Sequence, residues 1–197
     1  MRLGTPRARP GRAPLRVALL LGGALGLQPG LAVADTEQAL SVGLGYATFS
    51  AVGEVAMEGM EPPAVSPDGG GAISVAYERM IGSDVGLRGE LAGGVFRGGN
   101  TAQQTPTSYA LLADAGVVFR FDVLTVVPYA FGGLGTVTTG GGPIESGTHF
   151  VLVVGGGADW LRSRSRSYGL EVRLASFGGD VTVVTVGFRA THRWGFF

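Results

Sequence analysis

Three groups of residues have types and spacings that could do chemistry. In "PIESGTHF", Glu145, Ser146 and His149 bring an acid, a hydroxyl and an imidazole into one short stretch, the residue types of a hydrolase triad. A triad is defined by geometry rather than by proximity in sequence. Three such residues in a Gly-rich connection therefore make no active site by themselves, and the chain is read as a non-enzyme. A second group is acidic: Glu54, Glu58, Glu61 and Asp68 share one stretch, Val52 to Gly71, that has no basic residue. Oxygen ligands of this kind suit loose Ca²⁺ or Mg²⁺ association. With 2 His and 0 Cys, a dedicated metal site is not expected, and no cofactor is.

The third group is the largest. Glu78, Arg88, Glu90, Asp114, Arg120, Asp159, Glu171, Arg173 and Arg189 each stand at alternate positions among small and apolar residues. Phe49, Phe96 and Phe177 fall on the same parity as these charges, at the far ends of three segments. Five acids against four arginines is close to balance, and buried charges of opposite sign are expected to pair, since an unpaired one costs several kcal/mol, on the order of 3–5. The expectation is an internal ion-pair network with an apolar mouth above it.

The elements that must position them are strands, because the periodicity is two. Large apolar residues occupy one parity and small or charged residues the other. Leu40, Val42, Leu44 and Tyr46 alternate with Ser41, Gly43, Gly45 and Ala47; Ile73, Val75 and Tyr77 with Ser74, Ala76 and Glu78. The pattern recurs around Leu87 to Val95, Leu111 to Phe121, Phe150 to Trp160, Tyr168 to Leu174 and Val184 to Phe188. In "VVPYAFGGLG" it assigns Val127, Tyr129 and Phe131 to the large apolar face. Eight strands result, each near the ~9–11 residues that a tilted strand needs to cross a bilayer. The connections include long ones at Val52 to Gly71, Arg97 to Thr107 and Val137 to Thr148, and tight ones such as "IGSD". The arginine-serine stretch Leu161 to Ser167 reads as a longer turn.

The amino end reads as a secretory signal peptide. Arg2, Arg7, Arg9, Arg12 and Arg16 precede the apolar run Val17 to Leu27, and Ala32-Val33-Ala34 offers a cleavage site. The run is too short to span a membrane as a helix. The expected domains are a signal peptide at 1–34 and one barrel at 35–197. The whole chain has 15 basic and 15 acidic residues, but five arginines precede Ala34 and no acid does. The mature segment is therefore acidic, which argues against a nucleic-acid partner. Without cysteine, an exported chain must take its stability from a closed fold rather than from disulfides.

Alternation serves soluble barrels too, so the composition of the two faces decides. The face opposite the large apolar residues is mostly Gly and Ala with isolated charges, a poor surface for water. In lipid, the large residues point outward and the charges enter a narrow lumen. Tyr77, Phe119, Phe121, Tyr129, Trp160 and Tyr168 gather towards one rim, and Tyr46, Tyr109 and Phe150 towards the other, as two aromatic belts. The fold class expected is all-β: an eight-stranded antiparallel up-and-down transmembrane β-barrel, with a core just wide enough for side chains to fill.

The signal peptide, the alternating strands, "VVPYAFGGLG", the Gly-x-Gly-x-Asp run in "GGGAD" and "GLEVR" resemble the outer-membrane β-barrel family that includes the OmpA transmembrane domain and the opacity-type surface proteins. The resemblance covers about residues 38–197 and the barrel domain only, with no peptidoglycan-binding domain after it. The closing "RATHRWGFF", ending on Trp194, Phe196 and Phe197, resembles the signal read by the barrel-assembly machinery. What the resemblance implies is a cell outer-membrane location, lipid and lipopolysaccharide as surroundings, and the assembly machinery as a partner during biogenesis. The implied role is structural or surface-exposed, with an extracellular ligand reached through the first loop. The alternatives are a narrow porin-like channel, passage of small hydrophobic solutes as in OmpW-type barrels and, more distantly, modification of lipid A.

Overall fold

Backbone pairing runs from strand to strand around the molecule until the last strand meets the first. The computed structural model describes residues 37–52, 64–66, 69–98, 107–121, 125–142, 144–177 and 181–195. Residues 1–34, expected to be a signal peptide, the four acids of the first long connection, Phe196 and Phe197, and the side chain of Phe177 lie outside the described residues. All described residues belong to one compact unit, Ala34–Phe197.

Eight long strands form the barrel: β1 (Gln38–Val52), β3 (Gly69–Met80), β4 (Val85–Arg97), β5 (Thr107–Arg120), β6 (Val126–Gly140), β7 (Gly147–Ser163), β8 (Arg166–Phe177) and β9 (Val181–Trp194). A two-residue strand, β2 (Ala64–Val65), pairs with Ala51 and Val52 and lengthens β1 into the first long connection, which the sequence pattern leaves as loop. Every pairing is antiparallel between chain neighbours, and β9 closes on β1 from Gln38↔Trp194 to Ala51↔Val181.

The register fixes the shape. Stepping across the ladder from Ala39 gives Glu78, Arg88, Gly116, Gly133, Val153, Ala175, Val183 and then Phe49 on the starting strand, a stagger of 49 − 39 = 10 residues. With ~3.3 Å per residue along a strand and ~4.8 Å between strands, that stagger sets the tilt near 41° and the backbone radius near 8 Å. A strand of 12 residues such as β3 then rises about 30 Å along the barrel axis, the thickness of a bilayer's hydrocarbon core.

The turns at the end that carries both chain termini are tight. Ile81–Asp84 joins β3 to β4, with the Ile81 amide donating to the Val85 carbonyl at 2.9 Å. The arginine-serine stretch is shorter than its sequence suggests: a bulge at Arg162 brings Ser163 opposite Arg166, leaving Arg164 and Ser165 as the turn. At the opposite end the third long connection shrinks to 141–146, because β6 continues to Gly140 and β7 starts at Gly147. Gly141 (φ 83°) and Gly142 (φ 60°) take left-handed backbone there, which glycine adopts without a Cβ penalty. The chain thereby turns Ile144 back into the barrel, where it is 1% exposed.

The faces sort as alternation requires. Val42, Leu44, Ile73, Leu91, Leu111, Leu170 and Phe188 stand on the exposed outer surface. One strand departs from the sequence pattern: Val127, Tyr129 and Phe131 of β6 point inward and are buried, while Leu134 is exposed. No bulge interrupts β6, so its parity is single, and Leu134 and Tyr129 cannot share a face. Tyr129 therefore leaves the aromatic belt, and Trp194 joins it, 6.4 Å from Tyr77 between ring centroids.

The closure register is directly testable. Cysteines replacing Leu44 and Phe188, which face each other across β1 and β9, should form a disulfide on oxidation, seen as altered migration of the boiled, unreduced chain. Leu44→Cys combined with Gly187→Cys, one residue out of register and on opposite faces, should give none.

Candidate functional site: the barrel interior

Inward-facing residues come from all eight long strands, and the stagger decides which of them meet. Towards the end with the short turns, Glu78 of β3 accepts three guanidinium hydrogen bonds: from Arg88 Nη1 at 3.3 Å, Arg189 Nη2 at 3.2 Å and Arg120 Nη2 at 2.5 Å. Glu78 is 1% exposed. Glu171 of β8 accepts from Arg88 Nη2 at 2.9 Å, Arg189 Nη1 at 3.1 Å and the Tyr129 hydroxyl at 3.1 Å. Glu90 pairs with Arg88 Nη2 at 2.6 Å and with Arg173.

Two charged residues that the strand pattern omits complete the network. Arg193 of β9 donates to Asp159 Oδ2 at 3.0 Å and lies 3.7 Å from Glu37 Oε1, which also accepts from Arg120 Nη1 at 2.6 Å. Asp159 is held in addition by Arg189 Nε at 3.4 Å and by the Ser167 hydroxyl at 3.2 Å. The links form a closed circuit, Glu37–Arg120–Glu78–Arg189–Asp159–Arg193, with Arg88, Glu90, Glu171 and Arg173 joined to it. Five carboxylates thus meet five guanidiniums, so the connected set is neutral. Arg193 shares the parity of Gly187, Arg189 and Thr191, and it enters the network because β9 runs on to Trp194. Glu37 had no such signal, since it precedes the strand.

Asp114 of β5 is not drawn in. It is half-buried beside Gly135, and its Oδ2 has no hydrogen-bond partner among the described residues.

Aromatic rings cover the arginines. The Arg88 guanidinium carbon sits 3.8 Å above the Phe131 ring centre and that of Arg189 4.4 Å from the Tyr129 ring centre, within cation–π range. Room for the rings comes from glycines on β7: a Cβ on Gly157 would stand 2.6 Å from the Tyr129 hydroxyl, and one on Gly155 would strike the Phe131 ring. This is why β6 inverts. Its rings fill the space left by Gly155 and Gly157, their register partners.

Towards the long connections the interior changes character. Phe49 and Phe96 contact each other, ring centroids 4.9 Å apart, and are 2% and 1% exposed. Gly70 and Gly94 make space for Phe96 as the β7 glycines do for β6. Leu112, Val137, Val151, Val153 and Ile144 are buried in the same hydrophobic cluster. The interior therefore has two zones, a charged one and an apolar one, with a cavity of about 20 Å³ bordered by Ser41, Ser74, Arg88 and Glu171. That is room for roughly one water.

Glu145 and Ser146 are exposed and His149 is half-buried at the end with the long connections, and no hydrogen bond joins them among the described residues. The Glu145 carbonyl accepts from the Thr139 hydroxyl at 3.1 Å, which anchors the connection that carries Ile144.

A surface of Leu, Val and Phe, bounded by aromatic rims, closed on itself and filled with paired charges, defines a bilayer-spanning, eight-stranded, up-and-down β-barrel. Solved structures agree. The chain is similar to the outer-membrane protein OprG from Pseudomonas aeruginosa (TM-score 0.56, 11% identity, 80% of this chain and 96% of that one). It is similar also to Ail, the attachment invasion locus protein of Yersinia pestis (TM-score 0.54, 20% identity, 82% and 100%). A third likeness is to the outer-membrane protein AlkL, determined in lipid bilayers (TM-score 0.53, 13% identity, 86% and 96%). At these identities they show the fold alone. No family model matches the chain, and no curated protein does.

Replacing Glu78 by Gln removes the charge that three guanidiniums share. The unfolding free energy of the detergent-folded protein should fall by about 3–5 kcal/mol, read from the urea midpoint. Asp114→Asn should change it by less than about 1 kcal/mol, because no ion pair is lost. Gly157→Val, whose Cβ would collide with the Leu170 carbonyl as well as the Tyr129 hydroxyl, should cost at least about 1–3 kcal/mol by overpacking.

Proposed function

We propose that the chain is an exported outer-membrane protein with a structural or surface-exposed role, its lumen sealed to ions by side chains. Both termini and the short turns face the periplasm, and the long connections face outward. Lipopolysaccharide and phospholipid are its surroundings, and the barrel-assembly machinery inserts it. The observation that carries the reading is the filled interior: five ion-paired carboxylates and five arginines at one end, and Phe49, Phe96 and Ile144 in the apolar zone at the other. A charged network with every arginine paired has no free counter-charge to pass an ion along.

The likeness to bacterial outer-membrane barrels supports the location. Ail has been solved in complex with the heparin analogue sucrose octasulfate. The first long connection of this chain carries Glu54, Glu58, Glu61 and Asp68 and no basic residue. An acidic connection repels a polysulfate, so an extracellular ligand reached there is cationic or bridged by divalent cations.

In planar bilayers the protein should give no steady conductance, whereas Glu78→Ala combined with Arg88→Ala should produce open events. Steady conductance indifferent to the lumen charges would sink the sealed-lumen reading.

The apolar zone favours a second reading, passage or holding of small hydrophobic solutes through a mouth built on Phe49 and Phe96, with Phe177 on the same parity. On that reading Phe49→Ala combined with Phe96→Ala should change uptake of a hydrophobic solute by expressing cells severalfold. Unaltered uptake would remove it.

A further inference from the structure

The outer surface is not uniformly convex. Across β7, β8, β9 and β1 one ladder row reads Trp160, Tyr168, Ala190, Val42, and the next towards the long connections reads Ala158, Leu170, Phe188, Leu44. Ala190 is the small member between large neighbours. Phe188 and Leu44 stand 74% and 67% exposed beside it, so the surface dips into an apolar groove of about 420 Å³. That volume is in the range of small-ligand sites.

The groove ends in positive charge. Arg166 and His192 face each other on the next row towards the short turns, one row beyond Tyr168 and Ala190. Arg162 follows Trp160 by two residues, roughly 7 Å along the strand. Arg164 lies in the turn that joins them. All three arginines are exposed, and none has a carboxylate partner among the described residues. The outward faces of β7, β8 and β9 carry no Asp or Glu among the described residues. Trp160 and Tyr168 mark the interfacial level, where indole and phenol rings prefer to sit. An apolar furrow below that level and unpaired guanidiniums just above it match one molecule in shape and charge.

We infer that this seam is a binding site for an anionic glycerophospholipid of the leaflet on the short-turn side. One acyl chain lies over Ala190 between Tyr168 and Phe188, and the phosphodiester and its anionic headgroup meet Arg162, Arg164 and Arg166. Guanidinium forks suit phosphate oxygens. The inference rests on the bilayer-spanning reading of the barrel, and the experiment separates the two.

Trp160 reports on the site once Trp194→Phe removes the other indole. In bilayers of zwitterionic phosphatidylcholine, quenching by brominated phosphatidylcholine establishes contact with lipid. Added brominated phosphatidylglycerol then yields a relative affinity for the anionic lipid at Trp160. An arginine at the membrane surface adds about fivefold in affinity for anionic lipid. The relative affinity should therefore exceed about fivefold, fall close to one in Arg162→Gln/Arg164→Gln/Arg166→Gln, and drop severalfold in Ala190→Leu, which fills the furrow. Arg79→Gln, on β3 outside the groove, should leave it unchanged. Heat-modifiable migration checks that each variant is folded. Equal quenching by the two brominated lipids, or a preference that survives the arginine changes, overturns the site and leaves the barrel reading intact. Absence of quenching by either lipid overturns both.

Discussion

Backbone hydrogen bonding in a medium without water is the constraint on which the rest of the structure depends. A strand in lipid has no solvent to satisfy its amides and carbonyls, so the sheet must have no edge. The fourteen register pairs between β1 and β9 remove that edge. Closure at a stagger of ten residues then fixes tilt and radius together, and the radius leaves an interior that side chains must fill. The width available to side chains in the lumen follows from strand number and shear before any particular side chain is considered.

Within that space, two ways of filling are used. Near the short turns, arginines and carboxylates of six strands and the residue preceding β1 meet in ion pairs, and the connected set is neutral because burial away from water leaves no other partner for a charge. Near the long connections, Phe, Val, Leu and Ile fill most of the cross-section, with only the hydroxyls of Ser108 and Thr139 buried beside them among the described residues. Glycine serves both zones. Opposite Tyr129, Phe131 and Phe96 it leaves volume that a ring occupies, and Arg88 and Arg189 stack on the Phe131 and Tyr129 rings.

The outer face follows the bilayer. Large apolar residues cover the middle, and Tyr77, Trp160, Tyr168 and Trp194 mark the level at which the short turns leave the hydrocarbon. Basic residues lie just beyond that level, and an apolar furrow just within it, along the seam around Ala190.

Much of this was legible without coordinates. Period-two alternation locates the eight long strands because a strand's side chains alternate strictly, and the Gly, Ala and charge content of one face excludes water on the other. The same parity marks Glu78, Arg88, Glu90, Arg120, Asp159, Glu171, Arg173 and Arg189 as inward. The sequence by itself therefore determined the strand count, the parity of the charges within those strands and the barrel class. Tertiary structure decided the rest. Size alone assigns Tyr129 and Phe131 outward, but only the register with Gly157 and Gly155 shows that β6 turns its rings inward. Which acid meets which arginine depends on the stagger, which brings Glu78 beside Arg189, 111 positions away, and leaves Asp114 out. Parity is a local property of a strand, whereas register is settled between strands by packing and closure, and no single strand encodes it.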